Sequence, residues 1–182
     1  MPHIQQWLDA GDHWLGLHGT SGGRAERVEG LRQRRIVKTE HHIVKTEHHA
    51  LLGSYFLTHP PICKFRVGVA AIDHPSTEGL GKSFIVEDEP YFIELQDPAS
   101  TQILLAVDYG PTAEAPAIGT IYPSDTSLQP DGRTRVIGYT RGIGGGRVTY
   151  FALGHFHSPN IRGLRPVDPG TNAAAVSWRV GY

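Results

Sequence analysis

The chain has 182 residues, the size of a single domain and long enough to bury a hydrophobic core. Its composition, 39% hydrophobic and 19% charged, is that of a globular protein, and a net charge of −1 provides no basic face for nucleic acid. No apolar run approaches the ~20 residues of a membrane span, so no membrane partner is expected. The lone cysteine, Cys63, cannot form an intrachain disulfide, and the N-terminus carries no secretory leader, which together predict a cytoplasmic protein.

The first segment is predicted to be the end of a helix followed by a short buried strand. Residues 4–10 have apolar side chains at helical spacing, and the apolar run 14–17 follows shortly after a Gly-Asp turn. His18 and Gly19 come directly after that strand, at the place where a nucleophile elbow carries Ser or Cys. The pattern therefore predicts a functional site at His18, with imidazole chemistry instead of a nucleophile.

An identical heptad, Ile-Val-Lys-Thr-Glu-His-His, occurs twice in succession at 36–42 and 43–49. Seven residues are close to two helical turns, so the repeat returns its apolar side chains to nearly the same face, with a drift of ~20°. It therefore predicts one long helix over about residues 28–52. A metal site within the repeat is not expected, because His41 and His48 would lie ~10 Å apart along such a helix.

The rest of the chain alternates predicted strands with loops rich in Gly and Pro. Residues 110–133 are predicted to form a long surface loop. Gly142–Gly146 is predicted to be a hairpin turn and not a phosphate loop, because a strand instead of a helix follows it. The predicted extended segments are 55–57, 64–71, 83–86, 91–95, 101–109, 135–140 and 147–153, and a closing helix is predicted over 171–180.

Two of these predicted strands end in a histidine. His18 follows the run 14–17, and His155 follows the run 148–153 after one glycine. In open α/β sheets, ligands bind outside the carboxyl ends of the strands. The two histidines are therefore expected to lie close to each other, at one site.

Several segments, in order along the chain, resemble the ThuA-like (trehalose-utilisation) family of the class I glutamine amidotransferase-like superfamily. The resemblance extends from about Ile4 to the C-terminus, apart from the second heptad and the 110–133 loop. The segments that carry it are Gly16-Leu17-His18-Gly19, Gly53 with His59-Pro60-Pro61, His74-Pro75 through Glu87-Asp88-Glu89-Pro90-Tyr91, Tyr139-Thr140-Arg141 through Gly154-His155, and Ala175-Val176-Ser177-Trp178.

The resemblance implies an α/β fold of one domain over 1–182, with a flavodoxin-like parallel sheet and helices on both faces. Compared with the family, the chain is expected to lack about two N-terminal βα units, including the central strand. In amidotransferases the elbow carries a cysteine and a later strand carries a catalytic histidine. Here His18 stands at the elbow and His155 matches the later histidine, while Cys63 lies in another strand. Glutaminase chemistry through a thiolate is therefore not expected.

The function that the resemblance implies is the utilisation of trehalose or a related disaccharide or keto-sugar, at a site on the carboxyl edge of the sheet. The expected ligand is a small sugar, and any enzyme activity would be of the hydrolase or lyase type. The candidate catalytic residues are His18 and His155, whose imidazoles titrate near neutral pH, and Glu89 as their carboxylate partner. The candidate substrate-binding residues are His59, Tyr91, Arg141 and His157.

Three alternatives stay open at this point. One is a non-catalytic carbohydrate-binding or regulatory module, since loss of the elbow cysteine is compatible with a retained fold and a changed function. Another is a metal-dependent hydrolase, because several histidines and a carboxylate suit zinc, although no short-range ligand motif is present. The third is an inactive fragment whose sheet is incomplete. The cofactor is not determined by the sequence, and assembly into a homo-oligomer is an open expectation.

Overall fold

The structure is a computed structural model that describes residues 2–22, 38–39, 42–43, 47–109 and 126–155. These residues form a mixed α/β fold in which strands predominate and the helices are short. In chain order the elements are α1 (Pro2–Asp9), β1 (His13–Leu17), β2 (Lys38–Thr39), β3 (His42–Ile43), α2 (Glu47–Leu52), β4 (Ser54–Thr58), β5 (Cys63–Val69), β6 (Ser83–Asp88), β7 (Phe92–Leu95), β8 (Thr101–Asp108), β9 (Thr134–Ile143) and β10 (Gly146–Phe151), with 3₁₀ turns at His18–Ser21, Pro75–Thr77 and Pro98–Ser100.

Six of the strands form one sheet in the order β1-β10-β9-β8-β5-β6, and β4 pairs with β7 in a separate antiparallel ribbon. Among the described pairings of the large sheet, only β1 with β10 is parallel. The expected parallel sheet with helices on both faces is therefore not confirmed. A parallel pair needs a long crossover connection. Strands β9 and β10 are instead joined by a tight turn at Gly144 and Gly145, which confirms the hairpin predicted at Gly142–Gly146.

The hydrophobic core lies between the large sheet and the layer formed by α2 and β7. Large side chains from both layers contribute to this core, and the burial of each contributes ~2–3 kcal/mol to the free energy of unfolding. Tyr139 links the two layers, since its hydroxyl is hydrogen-bonded to the carbonyl oxygen of Leu52 at 2.8 Å and to the hydroxyl of Ser54 at 2.9 Å. The fully buried members include Leu52, Ile93, Leu105, Tyr139 and Phe151.

Among the described residues, the long helix predicted over about residues 28–52 is present only at its end, over Glu47–Leu52, and is wrong at Lys38–Thr39 and His42–Ile43. The two short strands β2 and β3 pair with each other as an antiparallel ribbon inside the duplicated heptad, and the helix begins only at Glu47. It ends at Leu52, before Gly53 in the left-handed region at φ +92°. The heptad period fits a helix, but each copy also contains Ile, Val and Thr, whose β-branched side chains favour extended backbone. Residues 23–37, 40–41 and 44–46 lie outside the described part.

The other predicted elements have mixed outcomes. The strands predicted beyond residue 60 are present within a few residues of their expected limits. Most of the predicted surface loop, 110–125, and the predicted closing helix, 171–180, lie outside the described residues, and the single domain over 1–182 stays a prediction. In the part of the chain that the structure describes, no helix combines the length and the apolar character needed to cross a membrane.

Replacing Gly146 by alanine is expected to lower the free energy of unfolding by about 2–3 kcal/mol. A methyl group there would overlap the backbone carbonyl oxygens of Leu8 and Asp12, which cannot turn aside as a flexible side chain could. Urea denaturation measures the loss. The matched control is Gly142→Ala in the same hairpin, where the added carbon meets no atom within 4 Å and the change should be neutral or slightly stabilising. Equal unfolding free energies for the two variants would contradict this account of the packing.

Candidate functional site

The turn after β1 places His18 in an uncommon backbone conformation. Its φ of +34° is the only positive value among the non-glycine residues that the structure describes. The turn is held by its own side chains: the Thr20 hydroxyl donates to the carbonyl oxygen of Leu17 at 2.7 Å, and the Leu17 amide donates back to that hydroxyl at 3.0 Å. From β10, the buried Tyr150 hydroxyl donates to the carbonyl oxygen of His18 at 2.8 Å. These bonds offset a backbone strain of about 1–3 kcal/mol.

The imidazole of His18 is buried and its tautomer is set by the backbone. Nδ1 lies 2.8 Å from the carbonyl oxygen of Ala152. Since a carbonyl oxygen can only accept, Nδ1 carries a proton and Nε2 points the other way. The ring also packs on Tyr91, with 3.8 Å between the ring centroids. His18 is therefore a pre-positioned imidazole that presents Nε2 to its neighbours.

Glu89 lies at the centre of a group of three histidines. One carboxylate oxygen contacts Nδ1 of His155 closely and lies 3.5 Å from Nε2 of His18, while the other oxygen lies 3.4 Å from Nδ1 of His59. The ring nitrogens of His18 and His155 are 2.8 Å apart. We refer to His18, His59, Glu89 and His155 as the histidine–glutamate cluster.

The histidines keep Glu89 ionised although its side chain is buried. Burial by itself would raise the pKa of this carboxyl group. The imidazoles of His155 and His18 beside the carboxylate, together with the electrostatic effect of His59, outweigh it and bring the pKa down to about 2 from an ordinary 4.5. At neutral pH the cluster thus contains a carboxylate anion surrounded by imidazoles.

The members of the cluster come from opposite edges of the large sheet. His18 follows β1 at one edge, and Glu89 follows β6 at the other. Five strand spacings of ~4.8 Å would separate these edges by ~24 Å in a flat sheet. In the structure their side chains are 3.5 Å apart, so the sheet curls until the ends of its outer strands meet. His155 follows β10, and His59 follows β4 in the smaller ribbon.

The structure brings most of the residues singled out from the sequence to one place. His18, His59, Glu89 and His155 form the cluster itself. Tyr91 lies against it, between the rings of His18 and His59. The catalytic and binding roles assigned to these residues remain predictions.

The other two predicted substrate-binding residues have different outcomes: one lies elsewhere in the described fold, and one lies outside the described residues. Arg141 lies on β9 beside Val148 of β10, and its Nη1 donates to the carbonyl oxygen of Ala50 at 3.2 Å, away from the described cluster residues. Its role as a substrate-binding residue has no support in this placement. His157 lies outside the described residues.

The second copy of the heptad supports the turn that carries His18. Nε2 of His48 donates to the carbonyl oxygen of Thr20 at 2.7 Å, and Nε2 of His49 donates to that of Ser21 at 3.3 Å. Burial lowers the pKa of His49, which keeps this imidazole neutral at pH 7. No sequence pattern indicates this contact, because it joins segments 28 residues apart through backbone oxygens that every residue possesses.

The sequence interpretation also missed Asp88, the residue before Glu89. Its carboxylate is buried and accepts hydrogen bonds from the amides of Gly154 at 2.6 Å and His155 at 3.2 Å. The only available signal was the run of three acids that ends β6. Such runs are usually solvated, so the sequence could not single out the buried member.

The cluster can carry two kinds of chemistry. Its imidazoles can accept and donate protons. Alternatively, His18, Glu89 and His155 each offer one ligand atom, and these atoms lie within 4.8 Å of one another, as the ligands of one metal ion would. Two imidazole nitrogens and a carboxylate oxygen suit divalent zinc or iron.

Comparison with models of protein families identifies one family. A family model described as ThuA, trehalose utilisation, matches residues 2–162. The crystal structure of a ThuA-like protein from Bacteroides uniformis ATCC 8492 is similar, with a TM-score of 0.54 and 16% identity over 97% of this chain. This chain spans 62% of the length of that protein. At this identity the likeness concerns the fold alone.

Two further solved structures are more distant. A ThuA-like protein from Parabacteroides merdae ATCC 43184 has a TM-score of 0.38 and 18% identity, covering 58% of this chain and 32% of its own. The exo-beta-1,4-mannosidase Op5Man5 from Opitutaceae bacterium strain TAV5 has a TM-score of 0.40 and 10% identity, covering 84% of this chain and 18% of its own. A search of curated proteins finds no significant match.

Replacing Glu89 by glutamine is expected to flatten the dependence of stability on acid. The folded pKa of about 2 lies below the ordinary 4.5. The ionised carboxylate therefore stabilises the fold fully above pH 4.5 and loses this contribution as pH falls towards 2. A difference of this size corresponds to about 3 kcal/mol. Urea denaturation between pH 7 and pH 2.5 should show this loss in the parent protein and not in Glu89→Gln.

The control for this prediction is Glu87→Gln, two residues away. Glu87 pairs only with the exposed Lys64 among its described ion pairs, at 3.8 Å. This variant should follow the parent protein at every pH. A steep acid dependence that survives in Glu89→Gln would contradict the assignment of the lowered pKa to the cluster.

Proposed function

The chain belongs to the ThuA family of trehalose-utilisation proteins, and we propose that the histidine–glutamate cluster acts on a disaccharide or on a keto-sugar derived from one. The observation that carries the proposal is the convergence of three imidazoles on one buried carboxylate. Buried ionisable groups arranged in this way are typical of sites that transfer protons. The family's association with a disaccharide supplies the substrate class, and the cluster supplies the chemistry.

His155 is the proposed proton-transferring residue, with Glu89 as its partner. Glu89 accepts the proton of Nδ1, which orients the ring and stabilises its cationic form, as the carboxylate does in carboxylate–histidine pairs generally. The proton exchanged with a substrate is then carried by Nε2. The side chain of His155 is 23% exposed, more than twice the 9% of Glu89, so the imidazole and not the carboxylate meets the sugar.

His18 and His59 complete the proposed site from either side of the carboxylate. His18 is the second proton-transfer group, since its protonated Nδ1 is held by the Ala152 carbonyl oxygen and Nε2 lies toward His155. His59 is 21% exposed and lies near the other carboxylate oxygen. Its proposed role is to hydrogen-bond a sugar hydroxyl. The reaction would be a hydrolase- or lyase-type cleavage assisted by general acid–base catalysis.

Alanine substitution of His155 or His18 is expected to lower kcat on keto-disaccharides by about 10²–10⁴-fold, the range for loss of a general acid or base. Product formation from trehalose and its keto-derivatives is measured by chromatography, with circular dichroism to check folding. His13→Ala is the matched control, because His13 is an exposed residue at the other end of β1. It should retain full activity.

The outcomes separate the proposal from its main rival. Unchanged turnover in folded His155→Ala and His18→Ala would refute the catalytic assignment. Calorimetry on the same sugars identifies a carbohydrate-binding or regulatory module if the parent protein binds them without forming product. Failure of the parent protein to bind or convert any of them would contradict both readings.

A divalent-metal hydrolase is the second candidate, and a separate observation favours it. The three potential ligand atoms converge, and Nδ1 of His18 donates to a backbone carbonyl oxygen, as the outer nitrogen of metal-bound histidines usually does. His18, Glu89 and His155 would hold the ion. A bound zinc ion would lower the pKa of a water molecule to about 7 and so provide hydroxide at neutral pH.

Zinc titration by calorimetry tests this candidate without requiring a substrate. We expect one ion per chain at pH 7.5, with binding weakened at least tenfold in His155→Ala and unchanged in His13→Ala. Binding that is equal in these two variants would place the ion elsewhere. The absence of binding to the parent protein would leave acid–base chemistry as the proposed mechanism.

A further inference from the structure

We propose that Asp88 is the positioning residue of the histidine–glutamate cluster: its buried carboxylate fastens the loop after β10 to the end of β6 and so sets where His155 and Glu89 lie. The inference rests on the proposed function only in taking the cluster as the reacting site. Asp88 touches none of the imidazole nitrogens in its described contacts, and it acts through the backbone.

The contacts of Asp88 are those of a carboxylate that organises main chain. The residue is only 4% exposed. One oxygen accepts a hydrogen bond from the amide of Gly154 at 2.6 Å, and the other accepts from the amides of Glu89 at 2.7 Å and His155 at 3.2 Å. Hydrogen bonds to an ionised acceptor are about twice as strong as neutral ones. The three hydrogen bonds offset the desolvation cost of burying the Asp88 carboxylate, and they fix the directions of three peptide groups.

These hydrogen bonds join parts of the sheet that strand pairing does not join. Asp88 is the last residue of β6, and Gly154 and His155 follow β10, four positions away in the sheet order. In a flat sheet this separation would be ~19 Å. The bonds therefore hold the curled sheet closed at the point where the cluster forms.

Asp88 and Glu89 hold the same histidine at two levels. The Asp88 carboxylate accepts from the backbone amide of His155, while the Glu89 carboxylate contacts its imidazole. The side chains of adjacent residues at the end of a strand point in opposite directions. One acid can therefore bind the backbone amide of His155 while the other contacts its side chain. Gly154 adopts φ +106°, a conformation that other residues rarely adopt, and this brings its amide to the Asp88 carboxylate.

Asp88→Asn is the sharpest test, because it keeps the size of the side chain and replaces one acceptor oxygen by an NH₂ donor. At least one of the three amides then faces a donor, and the loop carrying His155 must shift. A misplacement of about 1 Å can cost about 100-fold in rate. We expect kcat on the keto-disaccharide to fall about 10- to 100-fold, with KM changed less than threefold.

A spectroscopic readout in the same variant does not depend on turnover. In the parent protein the hydrogen bond from His155 to Glu89 should produce a downfield, slowly exchanging imidazole N–H resonance, assigned by its loss in His155→Ala. We expect Asp88→Asn to lose or shift it. The control Asp108→Asn changes an exposed aspartate at the end of β8 and should leave it unchanged.

The outcomes keep this inference distinct from the proposed function. If the parent protein converts no sugar but Asp88→Asn still loses the resonance, the positioning role stands and the proposed function fails. If the parent protein is active and Asp88→Asn retains both activity and resonance, the positioning role is refuted.

A measurement on the parent protein covers the case in which Asp88→Asn does not fold. Hydrogen exchange should be slow at the amide of Gly154, since the Asp88 carboxylate is its acceptor. The reference is the amide of Gly79, an exposed glycine in a loop. An exchange rate at Gly154 as fast as at Gly79 would overturn the inference.

Discussion

The candidate site depends on the closure of a curled sheet between strands that do not pair. The loop after β10 must reach the end of β6, and every described member of the cluster is brought within range by that approach. Hydrogen bonds between the Asp88 carboxylate and the amides of Gly154 and His155 hold this closure. Ladder pairing cannot do so, because β10 already has β1 on one side and β9 on the other.

Two adjacent buried acids are stable at this closure because each is satisfied by a different kind of donor. Backbone amides surround Asp88, and imidazoles surround Glu89. An isolated buried carboxylate would cost several kcal/mol. The histidines thus stabilise the fold by keeping Glu89 ionised, and the same proximity makes them available for proton transfer or for binding a metal ion. Stability and chemistry in this region rest on the same contacts.

The turn at His18 shows how distant segments sustain a strained conformation. The strain of its positive φ is offset by hydrogen bonds to backbone carbonyl oxygens of the turn. Tyr150 of β10 donates to that of His18, and His48 and His49 of the second heptad donate to those of the residues after it. The period of the duplicated heptad favours a helix, and among its described residues only the end is helical. The two histidines of this short helix support the turn at His18.

Local sequence patterns were sufficient for four features: a strand that ends at His18, another that leads to His155, the hairpin before β10, and the family to which these motifs belong. Apolar runs, glycines and family motifs report local backbone conformation, so these features could be predicted. The antiparallel pairing, the ribbon within the heptads and the contacts of Asp88 are seen only in the three-dimensional structure. Strand neighbours, sheet curl and hydrogen bonds to backbone amides arise between segments far apart in the chain, and no local pattern of side chains encodes which of these segments meet.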